Sequence, residues 1–237
     1  PASASWSARK QGADTRVTLR ISPTEANMAL GSKLVDAVAG LGSRTLSVLT
    51  APDGDTSPNS ELFASFYAEV INRALTSNND VIELTAAEFL TRIVSGCEAK
   101  STDTRSPGSD GIGELAYDWQ GIVYTSNEGR LIGESGDEIF AVGNVTRDGY
   151  HDLMTHPTIR ALVLASVGDG QPGYSSWVYK PFCGPRPSRN YIDQGSLQGR
   201  AADSPNFLNN QAILDALFRI LGTNGPESDQ LQTWTLA

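Results

Sequence analysis

The segment Tyr179-Lys-Pro-Phe-Cys-Gly-Pro-Arg-Pro-Ser-Arg-Asn-Tyr191 gathers Lys180, Arg186 and Arg189 without one acidic residue. Pro181, Pro185 and Pro187 hold such a stretch extended, so ordering it costs little entropy. A guanidinium forks to two oxygens of a phosphate or carboxylate. Tyr179, Phe182 and Tyr191 offer rings that stack on bases or fill a partner's pocket. The expectation is an exposed basic loop that contacts nucleic acid or protein, with a simply solvated connection as the plain alternative. A second cationic stretch, Arg9, Lys10, Arg16 and Arg20 against Asp14, opens the chain. The rest is acidic, because the 237 residues carry a net charge of −9. General phosphate affinity needs a concentrated positive field, so this body favours pairing with another copy of the chain over nucleic acid.

Asp53-Gly-Asp55-Thr56-Ser57 follows an apolar run. It resembles the D-x-D-x-[T/S] start of haloacid-dehalogenase-type phosphotransferases. That resemblance implies Asp53 as nucleophile, Asp55 as acid/base and Mg²⁺ nearby, hence a hydrolase or phosphotransferase. A turn leading to a Ser57 helix cap accounts for the same residues. Gly111-Ile-Gly113-Glu-Leu-Ala116 matches G-x-G-x-x-A, but a loop precedes it and a strand pattern follows, which is the wrong context for a dinucleotide turn. His151 and His156 are five apart, where helical metal pairs need three or four. Cys97 and Cys183 form no C-x-x-C and read as free, partly buried thiols. No cofactor or metal motif is legible.

The elements that would position these residues follow from periodicity. Residues 15–22 alternate Val17, Leu19 and Ile21, a half-buried strand. Ser22-Pro23-Thr24-Glu25 reads as a capping box opening a helix to about residue 39, with Leu30, Leu34, Ala37 and Leu41 on its packed side. Residues 44–51 form a second strand, 59–75 an amphipathic helix, 81–84 a short strand and 85–94 another helix. Residues 95–113 are a Ser/Gly-rich loop. Residues 117–125, 130–135 and 138–146 read as a β-meander with a turn at Asn127-Glu128-Gly129. Residues 175–182 add a strand, 155–167 a strand or short helix, and Ser204-Pro205 caps a helix over 206–221.

The expected fold is α+β: strand–helix alternation first, an antiparallel β-rich second half, and a closing helix. The expected organisation is an arm over 1–15, an α/β part over 16–94, a loop over 95–113 and a β-rich part over 114–237, together one compact domain. No stretch nears the roughly 18–20 apolar residues that cross a bilayer, and no signal peptide is visible.

A small-residue arm, basic islands and an acidic body are compatible with a non-enzymatic, self-assembling viral or phage coat subunit, located in the virion or the cytoplasm. Its contacts would be Arg9, Lys10, Arg16, Lys180, Arg186, Arg189 and Tyr191, toward copies of itself and nucleic acid. The alternatives are the hydrolase using Asp53 and Asp55, and a monomeric binding module.

Overall fold

The structure, a computed structural model, describes residues 17–49, 59–77, 80–96 and 108–235. It is a mixture of helices and two small sheets, the α+β class expected.

The first sheet is parallel. Thr18–Ile21 (β1) pairs with Thr45–Val48 (β2) in the register Thr18↔Thr45 to Ile21↔Val48. Ile82–Glu83 (β3) pairs with β2 at Thr45↔Ile82 and Leu46↔Glu83, giving the order β1-β2-β3. The connecting helices are Gly31–Gly40 (α1) and Ser60–Thr76 (α2), and Leu84–Ser95 (α3) follows β3. Parallel crossovers are right-handed, so two that step in the same direction put α1 and α2 on one face. In α2, Phe63, Phe66, Tyr67, Val70, Ile71 and Ala74 are buried at helical spacing. Each large apolar side chain taken from water contributes about 1.5–3 kcal/mol.

The first helix differs from its expected form. Asn27 accepts from the Thr24 amide at 2.7 Å and donates to the Ser22 carbonyl at 3.1 Å, which closes a turn where the capping box was expected. A short 3₁₀ turn over Met28–Leu30 then leads into α1. Its packed side is Met28, Val35 and Val38, while Leu30 and Leu41 are exposed. The reason is the close approach of α1 to α2. A Cβ on Gly31 would lie 3.0 Å from the Phe66 carbonyl oxygen, so the backbone contact sets the rotation of the helix.

The second sheet is antiparallel, with Ala116–Tyr117 (β4), Ile122–Tyr124 (β5) and Ala141–Asn144 (β6) in that order. Around it lie Asn127–Glu134 (α4), Tyr150–Met154 (α5), Pro157–Ala165 (α6) and Pro187–Gln194 (α7). Residues 130–135, expected as a strand, belong to α4 and the turn that ends it. Ser126 accepts from the Gly129 amide at 3.0 Å and starts a helix where a turn was expected. Gly133 is required there, since a Cβ would come 2.4 Å from the Tyr124 ring. Residues 175–182, also expected as a strand, run as turns that seat Trp177 on Phe207, ring centroids 4.2 Å apart.

Pro205–Leu221 (α8) starts as expected, with Ser204 accepting from the Phe207 amide at 3.3 Å. Pro226–Gln232 (α9) is an element that periodicity did not reveal. Ile213, Leu214, Leu217, Leu231 and Trp234 join α1, α2 and β2 in one buried cluster, so the C-terminal helices close on the parallel half.

Candidate functional site

Leu19, Ile21, Leu46 and Val48 point to the helix side of the parallel sheet, where Leu46 and Val48 are fully buried. The alternate residues must then share the opposite face. These are Thr18 and Arg20 on β1, Thr45 and Ser47 on β2, and Ile82 on β3. Thr18 and Thr45 touch hydroxyl to hydroxyl at 3.0 Å, and Thr45 also donates to the Val17 carbonyl at 3.2 Å. Arg20 is exposed and has no partner among the described residues. Parallel sheets are normally covered on both faces. Thr18 and Arg20 are exposed while Thr45, Ser47 and Ile82 are half-buried, so the polar end of this face, with its uncommitted guanidinium, is the candidate site, next to the carboxyl edge where α/β sheets hold ligands.

That edge is braced from the helix side. Glu83 is completely buried at the end of β3. Its carboxylate accepts from the Val48 amide at 2.9 Å, from the Ala86 amide at 2.7 Å and from the Tyr67 hydroxyl. Thr85 adds a bond to the Val48 carbonyl at 3.1 Å. One side chain thus ties β2, α2 and α3 together and caps α3. Burial raises the Glu83 pKa, against the lowering effect of its hydrogen bonds. Burial, then the neighbouring Glu83 charge, raises the Tyr67 pKa far above the ordinary range, so Tyr67 stays a donor. The sequence signal for this brace is a carboxylate inside the apolar run Val81-Ile-Glu-Leu84.

Of the residues expected to act, Asp53, Asp55, Arg9, Lys10 and Arg16 lie outside the described residues, as does Cys97. The basic stretch 179–191 is not an exposed loop. Arg186 is 7% exposed and pairs with Glu128 of α4 at 2.8 Å. Arg189, equally buried, forks onto Asp193 within α7 at 3.0 and 3.1 Å. Tyr191 donates to Asp137 at 2.6 Å, and that bond raises its pKa. Lys180 pairs with Asp169 nearer the surface. Every one of these acidic partners lies outside the stretch, and only Asp193 is close to it, so the stretch looks unneutralised when read alone.

The same stretch is locked by further groups. Asp110, 4% exposed, accepts from the Ser188 amide at 2.9 Å and its hydroxyl at 2.6 Å, capping α7 across the fold. Cys183 is buried, and its sulfur accepts from Asn210 at 3.2 Å. His156 caps α6, its Nδ1 accepting from the Thr158 amide at 3.2 Å. Among the described residues no group of three His, Cys, Asp or Glu side chains could hold a metal ion. No helix among them is long and apolar enough to cross a membrane. A groove of about 200 Å³ between α2, α8 and α9 is smaller than the roughly 300–1,000 Å³ of ligand pockets.

No family model matches the sequence, and no curated protein matches it. Solved structures do. Native anSMEcpe with bound AdoMet and the Cp18Cys peptide superposes with a TM-score of 0.67 at 11% identity, over 87% of this chain and 56% of that one. Native anSMEcpe with bound AdoMet gives 0.66 at 11% identity with the same coverage. The hexahistidine-tagged form with bound AdoMet gives 0.64 at 10% identity, over 92% and 57%. At such identity the likeness shows the fold, and the chain spans a little over half the length of these neighbours. It overturns the coat-subunit expectation: four solved chains that share this fold are anSMEcpe with bound AdoMet, not capsid proteins.

Proposed function

We propose that this chain is part of an enzyme that works with AdoMet on a peptide. The parallel half lines the AdoMet site with its sheet face opposite the helices, and the antiparallel half holds the substrate side. The carrying observation is the likeness over 87% of the chain to AdoMet-bound structures, one of which also holds a peptide. The residues present fit one end of AdoMet. A guanidinium without a protein partner, Arg20, suits its carboxylate, and the Ser47 and Thr18 hydroxyls suit further polar atoms of an amino-acid or ribose group. When bound, AdoMet would supply the reactive sulfonium. This chain's own part is to anchor the molecule and keep the carboxyl edge rigid through Glu83.

Titration calorimetry of the full chain with AdoMet tests the reading. Binding that weakens at least tenfold in Arg20→Gln, with the thermal midpoint unchanged, is the expected result. Arg20 is exposed, so its replacement leaves the core intact. A cooperatively folded chain that takes up no AdoMet at millimolar concentration overturns the proposal.

A further inference from the structure

The hairpin end of the antiparallel sheet carries features that neither the fold nor the AdoMet face uses. Strand β4 pairs with β5 at Ala116↔Tyr124 and Tyr117↔Val123, and the Asp118 amide donates to the Ile122 carbonyl at 3.1 Å. Hydrogen-bonded and non-hydrogen-bonded pairs alternate along an antiparallel ladder. The N–H and C=O of Tyr117 therefore point away from β5, to an edge that no strand among the described residues covers. Beyond it the turn 118–121 presents Trp119, 91% exposed. Asp118 rigidifies this turn by accepting from the Gln120 and Ile122 amides at 2.9 and 2.8 Å.

The turn after β6 abuts that tip. The Val145 amide donates to the Gly121 carbonyl at 2.9 Å, and Asn144 donates to the Gln120 carbonyl at 3.2 Å. This adds Val145, 52% exposed, to Trp119 and Tyr117. Exposed apolar and aromatic groups gathered in one place mark an interaction surface. The charge around them chooses the partner. Between residues 110 and 152 stand nine acidic residues against two arginines, of which Asp110 is buried and Glu128 is paired with Arg186. One of the two arginines, Arg130, is already held by Glu134. Asp118, Glu138, Asp148 and Asp152 have no ion pair among the described residues. Tyr124 donates to Asp118 at 3.4 Å, and burial, then the Asp118 charge, raises its pKa.

We propose that this edge docks an extended basic peptide, which adds a strand at Tyr117 and lays an apolar side chain on Trp119. Main-chain bonds give the register, Trp119 the anchor and the carboxylates the preference for lysine or arginine. The inference rests on the peptide part of the proposed function. It is tested without AdoMet, so either can fail alone.

The probe is a fluorescein-labelled twelve-residue peptide of alternating Lys and Val, followed by anisotropy against the full chain. Three results are expected together. The Lys/Val peptide binds and an alternating Glu/Val peptide does not. Affinity falls at least tenfold between 50 and 300 mM salt, and again in Trp119→Ala. Methylating alternate backbone nitrogens of the probe abolishes binding. Trp119 is solvent-exposed, so its loss leaves the thermal midpoint in place, and Glu138→Lys gives a second, charge-based variant that should weaken binding too. No binding of the Lys/Val peptide overturns the proposal. So does equal binding of the Glu/Val peptide, or indifference to Trp119→Ala or to backbone methylation. A concentration-dependent dimer lost in Trp119→Ala would identify a second copy as the occupant and overturn it as well.

Discussion

Arg20 and Arg186 occupy the two halves of the molecule under opposite conditions. Arg20 lies on the face of the parallel sheet opposite the helices, exposed and without a partner among the described residues. Arg186 sits before α7 at 7% exposure and is held by Glu128 at 2.8 Å. In the half that carries Arg20 the interior is aliphatic and aromatic, and its one buried charged side chain among the described residues is Glu83. Around Arg186 the interior is built from Arg189, Asp110, Ser188, Asn190 and Gln171, all under 9% exposed. The first half thus gets its stability from apolar burial and leaves Thr18 and Arg20 exposed on the sheet face opposite the helices. The second half turns its polar groups on one another to hold a chain rich in turns. Unpaired cations are therefore informative where paired ones are not.

Removing one partner of a buried pair should give the largest break in this contrast. Arg186→Ala leaves Glu128 without its cation and costs about 3–5 kcal/mol. For a domain of this size that lowers the thermal midpoint by roughly 6–20 °C. Arg186→Met, which keeps the stem, should recover part of that loss. Differential scanning fluorimetry of both variants checks it. A midpoint for Arg186→Ala within about 2 °C of the parent would sink the buried-pair account.

Next in size is Gly108→Ala. A Cβ at this position would lie 2.5 Å from the Pro185 carbonyl oxygen, a backbone atom that cannot swing aside. Separating the two segments also strains the Asp110–Ser188 cap. The expected cost is about 1–3 kcal/mol, read as a lower urea midpoint. Gly40→Ala, where nothing lies within 4 Å, is the control and should not destabilise the chain.

Glu83 sharpens the comparison through pH. Burial raises its pKa in the folded state, so the fold binds this proton more tightly than the unfolded chain does. The stability it contributes is full below the ordinary carboxylate pKa and is lost as pH rises from there through the raised folded value. Glu83→Gln removes that slope. It also weakens the set of bonds from Val48, Ala86 and Tyr67, at about 1–2 kcal/mol. Urea midpoints at pH 4 and pH 8 should differ less in Glu83→Gln than in the parent. Parallel pH dependences would remove Glu83 as the titrating brace.

The same contrast explains what was legible in the sequence. Helix α2 and helix α8 are readable because their buried residues recur at helical spacing; Ser204 caps α8 as expected, while the cap of α2 is Asn59 and the expected Ser57 lies outside the described residues. Residues 130–135 and 175–182 were misread as strands because Gly133 and Trp177 take their places from distant partners, Tyr124 and Phe207. The basic residues of 179–191 were read by type, and the partners Glu128, Asp137 and Asp169 come from 11 to 58 positions away. Arg20 was counted only as part of a basic island. Its position on the face opposite the helices follows from strand register, which periodicity alone does not supply.

Lys180 provides the finest test, because the sequence presents it as the equal of Arg186 and Arg189. Its side chain is 37% exposed, and that of its partner Asp169 is 71% exposed. Water and salt screen such a pair, and a flexible ammonium lacks the fork that fixes Arg189 on Asp193. Lys180→Ala should therefore cost no more than about 0.5 kcal/mol, a difference that roughly 0.5 M salt erases. Arg186→Ala should keep its full cost in that salt, since a buried pair is screened far less. Measured side by side, the two salt responses separate cations that belong to the fold from cations at the surface. Equal responses would mean that Arg186 is far more accessible to solvent than its 7% exposure implies, and the division between the two halves would fall with it.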